Sequence, residues 1–257
     1  MIDEIKKELL RLEQKHDIKI LYAVESGSRA WGFASTDSDW DVRYIYIHRL
    51  DWYLAIDNKR DNQDEILPND IDLADWELKK ALRLFRKSNP PILEWLRSPM
   101  VYLQQFSAAD KLRDLTQEYF NPKSCLYHYF HMGERNYREY LQKDKVRVKK
   151  YFYVLRPILA CDWIIHTNSM APMEFQKLVD KQVKDPAVLT EIQNLLARKM
   201  AGEELNEEPK NQILNDFVEQ KILFYKDYVK SLGQIDPPDT AKLNELFKEI
   251  LFEAWEK

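Results

Sequence analysis

The sequence predicts an α/β (α+β) protein, with a sheet-bearing domain over residues 1–105 and an all-helical domain over residues 106–257. Two observations predict the first part. Apolar runs at 18–24 and 42–47, the second rich in β-branched and aromatic side chains, have the length of buried strands. Between them, small and acidic residues read as a turn, a short helix and the entry to the next strand. A third observation predicts the second part: beyond Ser107 apolar residues recur at helical spacing, and prolines sit where helices start.

Taken in order, residues 2–15 carry Ile2, Ile5, Leu9 and Leu12 on one helical face, with Asp3 and Glu4 near the start, where the helix dipole favours acids. The strand at 18–24 follows. Residues 51–56 are expected to form a loop and a further strand, and the polar run 57–65 an exposed loop at a substrate rim. Residues 66–77 alternate, which puts Asp70, Asp72 and Ala74 on one face of a strand and Ile71 and Leu73 on the other. Asp75 is expected to cap a helix that runs to Lys87 and stops at Asn89-Pro90-Pro91. In the helical part, Asn121-Pro122 starts a helix whose aromatic stripe reads as core. Residues 146–159 read as the next helix. Four further amphipathic runs follow prolines, and Lys181, Lys184, Arg198, Lys199 and Lys210 read as a solvated face.

With 45% hydrophobic residues the chain can bury a core, and a net charge of -4 excludes a protein that is basic overall. Cys125 and Cys161 lie far apart in apolar helical patterns without metal-type spacing, and read as buried thiols of a reducing compartment. The charged, amphipathic N-terminus and the lack of any apolar run of membrane-spanning length predict a cytoplasmic protein with no membrane partner.

The chemistry is concentrated in Glu25-Ser26-Gly27-Ser28-Arg29-Ala30-Trp31-Gly32-Phe33 and Asp37-Ser38-Asp39-Trp40-Asp41-Val42-Arg43. Gly27 permits a backbone that a Cβ would obstruct. Ser28 either caps the following turn or hydrogen-bonds a phosphate. Asp39 and Asp41 are expected to alternate on a strand, so their carboxylates share a side, roughly 6.5–7 Å apart along the backbone. Hard oxygen ligands of this kind suit Mg2+, with Mn2+ as the substitute. Arg43, on the same face, touches a phosphate or balances the carboxylates. A turn that holds a phosphate, beside a strand that holds its metal, is the minimum apparatus of phosphoryl or nucleotidyl transfer.

This arrangement resembles the signature of the DNA polymerase β-like nucleotidyltransferase superfamily. The string from Glu25 to Arg43 is more similar still to the RNA-repair-pathway polymerase β-like (RlaP) family, as are 82–102 and 146–159. The resemblance implies a mixed sheet, an NTP substrate and a third carboxylate from a neighbouring strand, which accepts the proton of the attacking hydroxyl or shares the metal. Asp72, flanked by Ile71 and Leu73, matches that position, with Asp70 as the competing assignment. The expected site is therefore Asp39, Asp41 and Asp72 as catalytic and metal-binding residues, with Gly27 and Ser28 on the β- and γ-phosphates. Lys149, Tyr153 and Arg156 fall on one helical stripe. They read as a nucleotide clamp across an interdomain cleft, or as ion-pair partners of the acidic catalytic domain. The expected function is transfer of a nucleoside monophosphate from an NTP to a hydroxyl of an RNA end, a protein or a small molecule, with release of pyrophosphate. The alternative is a catalytically silent nucleotide-binding scaffold or antitoxin-like module.

Overall fold

A computed structural model of the chain describes residues 1–57, 59, 65–66, 70–203, 205–233 and 236–256, with backbone alone at 65–66. Most of the expected rim loop, residues 58 and 60–64, lies outside the described residues.

The chain begins α1 (Ile2–His16), β1 (Ile18–Glu25), α2 (Ser28–Trp31), β2 (Trp40–His48), α3 (Leu50–Tyr53), β3 (Glu65–Ile66) and β4 (Ile71–Glu77). It continues α4 (Leu78–Arg86), α5 (Pro90–Trp95), β5 (Val101–Gln104), α6 (Ala108–Tyr119), α7 (Pro122–Tyr140) and β6 (Lys145–Arg147). It ends α8 (Lys150–Thr167), α9 (Phe175–Gln182), α10 (Pro186–Met200), β7 (Glu207–Pro209), α11 (Gln212–Ser231) and α12 (Ala241–Trp255).

Two compact units result. The first comprises Met1–Ala30, Asp39–Tyr119 and Pro237–Lys257; the second comprises Trp31–Ser38 and Phe120–Asp236. This differs from a single break at 105/106. Helices α6 and α12 belong with the sheet, because α12 buries Leu243, Leu246, Ile250 and Leu251 in the first unit and bonds α6 through Lys111–Glu249. The segment 31–38 belongs with the helices, because the Trp31 ring meets Tyr153 and the Phe33 ring stacks on Phe152.

The first unit holds a five-stranded mixed sheet in the order β3-β4-β2-β1-β5. Strand β1 is antiparallel to β2 and β5, and β2 is parallel to β4. Ile5, Leu9 and Leu12 of α1 form one apolar core with Ile18, Ile20, Val42, Tyr44 and Leu73 of the sheet. Two elements differ from the sequence reading. Residues 50–53 form a helical turn rather than a strand, since Trp52 stacks on His48 and the Tyr53 hydroxyl donates to Glu77, folding the segment back. Asp75 lies inside β4 and is buried; Glu77 caps α4, accepting from the amides of Lys79 and Lys80. A strand that runs two residues longer turns Asp75 inward with Leu73.

The second unit packs α7 to α11 with a two-stranded ribbon, β6–β7. Asn121 caps α7 with Pro122 in its first turn, and Tyr129, Phe130 and Tyr137 of the aromatic stripe are core. A Cβ at Gly133 would stand 3.2 Å from Ile158, so α7 and α8 approach closely there. Residues 146–147 form strand, not helix, because alternating Val146 and Val148 are buried as 145–147 pair with 207–209. Cys125 and Cys161 are buried free thiols. No helix among the described residues is long and apolar enough to cross a membrane.

Candidate active site

The site in the first unit is built around a residue to which the sequence reading gave no role. Glu25, the last residue of β1, is fully buried. One carboxylate oxygen accepts from the amides of Gly27 (3.0 Å) and Asp41 (3.1 Å); the other accepts from the Tyr102 hydroxyl (2.5 Å). Its carbonyl accepts from Ser98 Oγ at 2.6 Å. One side chain thus ties the turn after β1 to β2 and β5. Burial, reinforced by the Glu25 carboxylate, pushes the Tyr102 hydroxyl well above the ordinary phenol range, so it stays a donor. The signal was visible: a lone acid ends an apolar run immediately before Ser26-Gly27.

The Gly27 amide is taken by Glu25, so what Gly27 supplies is space. A Cβ there would stand 1.7 Å from Asp41 Oδ2, 2.5 Å from its Cγ and 2.8 Å from its Cβ. Ser28, half-buried, opens α2. The Ser26 amide donates to the Asp41 carbonyl at 2.9 Å and so extends the β1–β2 pairing into the turn.

Asp41 and Asp72 are direct partners in the parallel pairing of β2 with β4. The Arg43 guanidinium joins them: Nη2 donates to Asp41 Oδ1 (3.1 Å) and Asp72 Oδ2 (2.8 Å), and Nη1 to the Asp72 carbonyl (2.9 Å). Of its two readings, Arg43 here balances the carboxylates. Burial pushes the Asp41 carboxyl above its ordinary value; Arg43 opposes this, while Glu25, Asp72 and Asp39 push the same way. Asp39 does not lie on the strand. It is exposed, one residue before β2 begins, in a segment that Arg29 holds by donating to the Asp39 carbonyl and stacking on Trp40 at 3.8 Å. Asp70 is exposed and left-handed (φ 56°), and its carbonyl accepts from the Trp40 amide. Asp72, not Asp70, therefore faces Asp41.

Among the described residues no three His, Cys, Asp or Glu side chains are gathered closely enough to hold a metal ion. Two are enough for the expected ion. Mg2+ retains waters and phosphate oxygens and takes one or two carboxylates. Asp41 and Asp72, with side chains 31% and 48% exposed, present hard oxygens in a field of like charge that a cation would relieve.

In the second unit the expected stripe runs from open to buried. Lys149 is exposed just before α8, on a polar cavity of about 610 Å3 with Arg147, Lys199 and Asp37. Tyr153 is exposed, its ring edge-on to Trp31 at 6.1 Å. Arg156 is buried, its guanidinium 4.7 Å from the Trp31 ring centre. Phe33 stacks on Phe152 at 4.6 Å and meets Phe175 edge-on. Lys199, read from sequence as solvated, is half-buried and donates to Ser35 Oγ at 2.7 Å. The second half of the motif is thus seated by α8 and α10, and the functions of Trp31, Phe33 and Lys199 were missed.

A curated protein of Bacillus subtilis (strain 168), described as uncharacterized protein YcgL, is 46% identical over 255 residues, which is 99% of this chain and 96% of that protein. A solved structure of a nucleotidyltransferase-like protein from Exiguobacterium sibiricum 255-15 aligns over 98% of this chain and 81% of its own, at 10% identity and a TM-score of 0.31. The family model described as RNA repair pathway DNA polymerase beta family, RlaP, matches residues 1–249.

Proposed function

This chain belongs to the RNA repair pathway DNA polymerase beta family, and we propose that it is a metal-dependent nucleotidyltransferase, moving a nucleoside monophosphate from an NTP to a hydroxyl. The observation that carries the reading is the in-register pair Asp41 and Asp72 beside the Gly27 turn. In the proposed reaction the acceptor oxygen bonds to the α-phosphorus, the bond to the bridging oxygen breaks, and pyrophosphate leaves. Asp72 orients the acceptor hydroxyl and takes its proton. Asp41 and Asp72 hold Mg2+, with Asp39 at the rim; when bound, the ion neutralises charge on the phosphates. Ser28 holds the phosphate tail, and Gly27 lets the turn that carries Ser28 close onto Asp41. Of the helical residues, Lys149 and Tyr153 are the proposed nucleotide contacts, while Arg156 positions Trp31. An RNA end is the acceptor that the family description favours.

One observation favours a second reading. Arg43 already sits between the two carboxylates, as expected of a silent nucleotide-binding scaffold. Incubation with each α-labelled NTP, Mg2+ or Mn2+, and total cell extract separates the two. Label transferred to RNA, and reduced about a hundredfold or more by Asp41→Ala or Asp72→Ala, supports the enzyme. Mg2+-dependent nucleotide binding without transfer supports the scaffold. Transfer undiminished in both variants would remove the assignment.

A further inference from the structure

A second cavity, of about 210 Å3, lies in the first unit between α4 and α12. Leu82, Leu243 and Phe247 line it with apolar surface; Leu82 and Leu243 are buried. Lys79, Arg83 and Arg86 stand along it at i, i+4 and i+7 of α4, and Thr240 and Asn244 add polar groups from the α12 side. No carboxylate is among the lining residues.

Three acids of the first unit are engaged elsewhere. Glu77 holds the Tyr53 hydroxyl and the first amides of α4, Glu118 pairs with Lys242, and Asp239 accepts from the Thr240 amide. Two of the three cations have partial occupations. Lys79 Nζ lies over the Tyr53 and Phe247 rings, at 4.6 and 5.1 Å, and Arg86 donates to the Pro238 carbonyl at 2.7 Å. The Arg83 guanidinium makes no hydrogen bond or ion pair among the described residues. Three like charges on one helical face repel one another, and an anion between them would relieve that repulsion.

We propose that this cavity is a second anion site, which takes a small organic phosphate monoester. The phosphate lies on Arg83 and Arg86, and an apolar or aromatic body lies on Leu82, Leu243 and Phe247. The site is separate from the one at Asp41 and Asp72. Asp72 stands near the start of β4, and α4 begins beyond its far end. Six residues of extended strand separate Asp72 from Leu78 by roughly 20 Å. A ligand here grips the helix that β4 leads into, and leaves the reacting groups untouched. The inference does not depend on the proposed reaction.

The test is calorimetric titration of the full chain with phenyl phosphate, inorganic phosphate and phenol at low salt. Phenyl phosphate is expected to bind at millimolar concentration or tighter, at least tenfold better than either fragment. Arg83→Glu, at an exposed position where the fold is expected to tolerate it, weakens phenyl phosphate at least tenfold with its melting temperature unchanged. Phe247→Ala weakens phenyl phosphate but not inorganic phosphate. Asp41→Asn leaves the titration as it was. Equal binding by wild type and Arg83→Glu, equal binding of phenol and phenyl phosphate, loss of binding in Asp41→Asn, or no heat with any probe would each overturn the site.

Discussion

Gly27→Ala tests the candidate site most directly. The added methyl would meet Asp41 Oδ2 at 1.7 Å, Cγ at 2.5 Å and Cβ at 2.8 Å. Rotation of Asp41 about χ1 removes the first two conflicts but not the third, which only backbone movement relieves. That movement is resisted, because Glu25 pins the Gly27 and Asp41 amides together. Overpacking of this kind costs about 1–3 kcal/mol. The swung carboxylate also surrenders its bond to Arg43, a charge-assisted contact discounted here because both groups are partly exposed. The expected destabilisation is about 2–3 kcal/mol, a fall in melting temperature of roughly 4–12 °C for a chain of this size. The assay is thermal unfolding of wild type, Gly27→Ala, Asp41→Ala and the double variant. Because the methyl and the carboxylate compete for one volume, the double variant should be more stable than the sum of the singles, by about 1 kcal/mol or more. Additive effects, or a Gly27→Ala melting curve equal to wild type, would refute the reasoning.

Three further outcomes are expected. Asp41 is raised in the folded state, so the stability linked to its protonation is full below the unfolded carboxylate range and lost as pH rises through the folded value. Asp41→Asn should therefore raise the melting temperature at pH 7 and leave it unchanged near pH 3; a lower value at pH 7 contradicts this. His48 is lowered to about 4, first by burial, then by Lys59 and His16, with Asp17 opposing. Its contribution is full above about 6.5 and lost as pH falls through about 4, so His48→Gln should flatten acid unfolding in that window. An unchanged pH profile would count against it. Trp31→Ala removes the face under Arg156, the edge of Tyr153 and a contact with Phe33. It should cost about 3 kcal/mol in urea unfolding, with Trp31→Phe recovering part; a loss below about 1 kcal/mol would show that segment 31–38 is not seated this way.

What the sequence made legible was short-range. Continuous apolar runs located β1 and β2, a period of 3.6 residues located α1 and α7, and the alternation of Asp41 with Arg43 put them on one face, where the structure joins them. The same alternation misplaced Asp39, because β2 opens at Trp40 and a pattern holds only where the strand exists. Asp75 failed in the same way: whether a strand ends at 75 or 77 depends on its neighbour β2, which continues through Tyr46 opposite Glu77. The pairings of Glu25, Arg156 and Lys199 were out of reach for another reason. Their partners stand 77, 125 and 164 residues away in Tyr102, Trp31 and Ser35, and no local pattern encodes those pairings.

The long-range contacts also explain why a glycine-poor chain spends one at 27. Glu25 uses a single oxygen to hold two amides, which draws the turn onto β2 until only a hydrogen fits between Gly27 and Asp41. The same approach gathers Glu25, Asp41 and Asp72 into one negative field, and Arg43 answers it from within the sheet. In the proposed reaction that cation has a consequence for order. A bare divalent ion entering between Asp41 and Asp72 would displace Arg43 and leave a guanidinium unpaired, whereas an ion arriving with a triphosphate brings the anion that Arg43 then faces. Metal and nucleotide are thus expected to bind as one complex, because the carboxylates already share a positive charge of the protein's own.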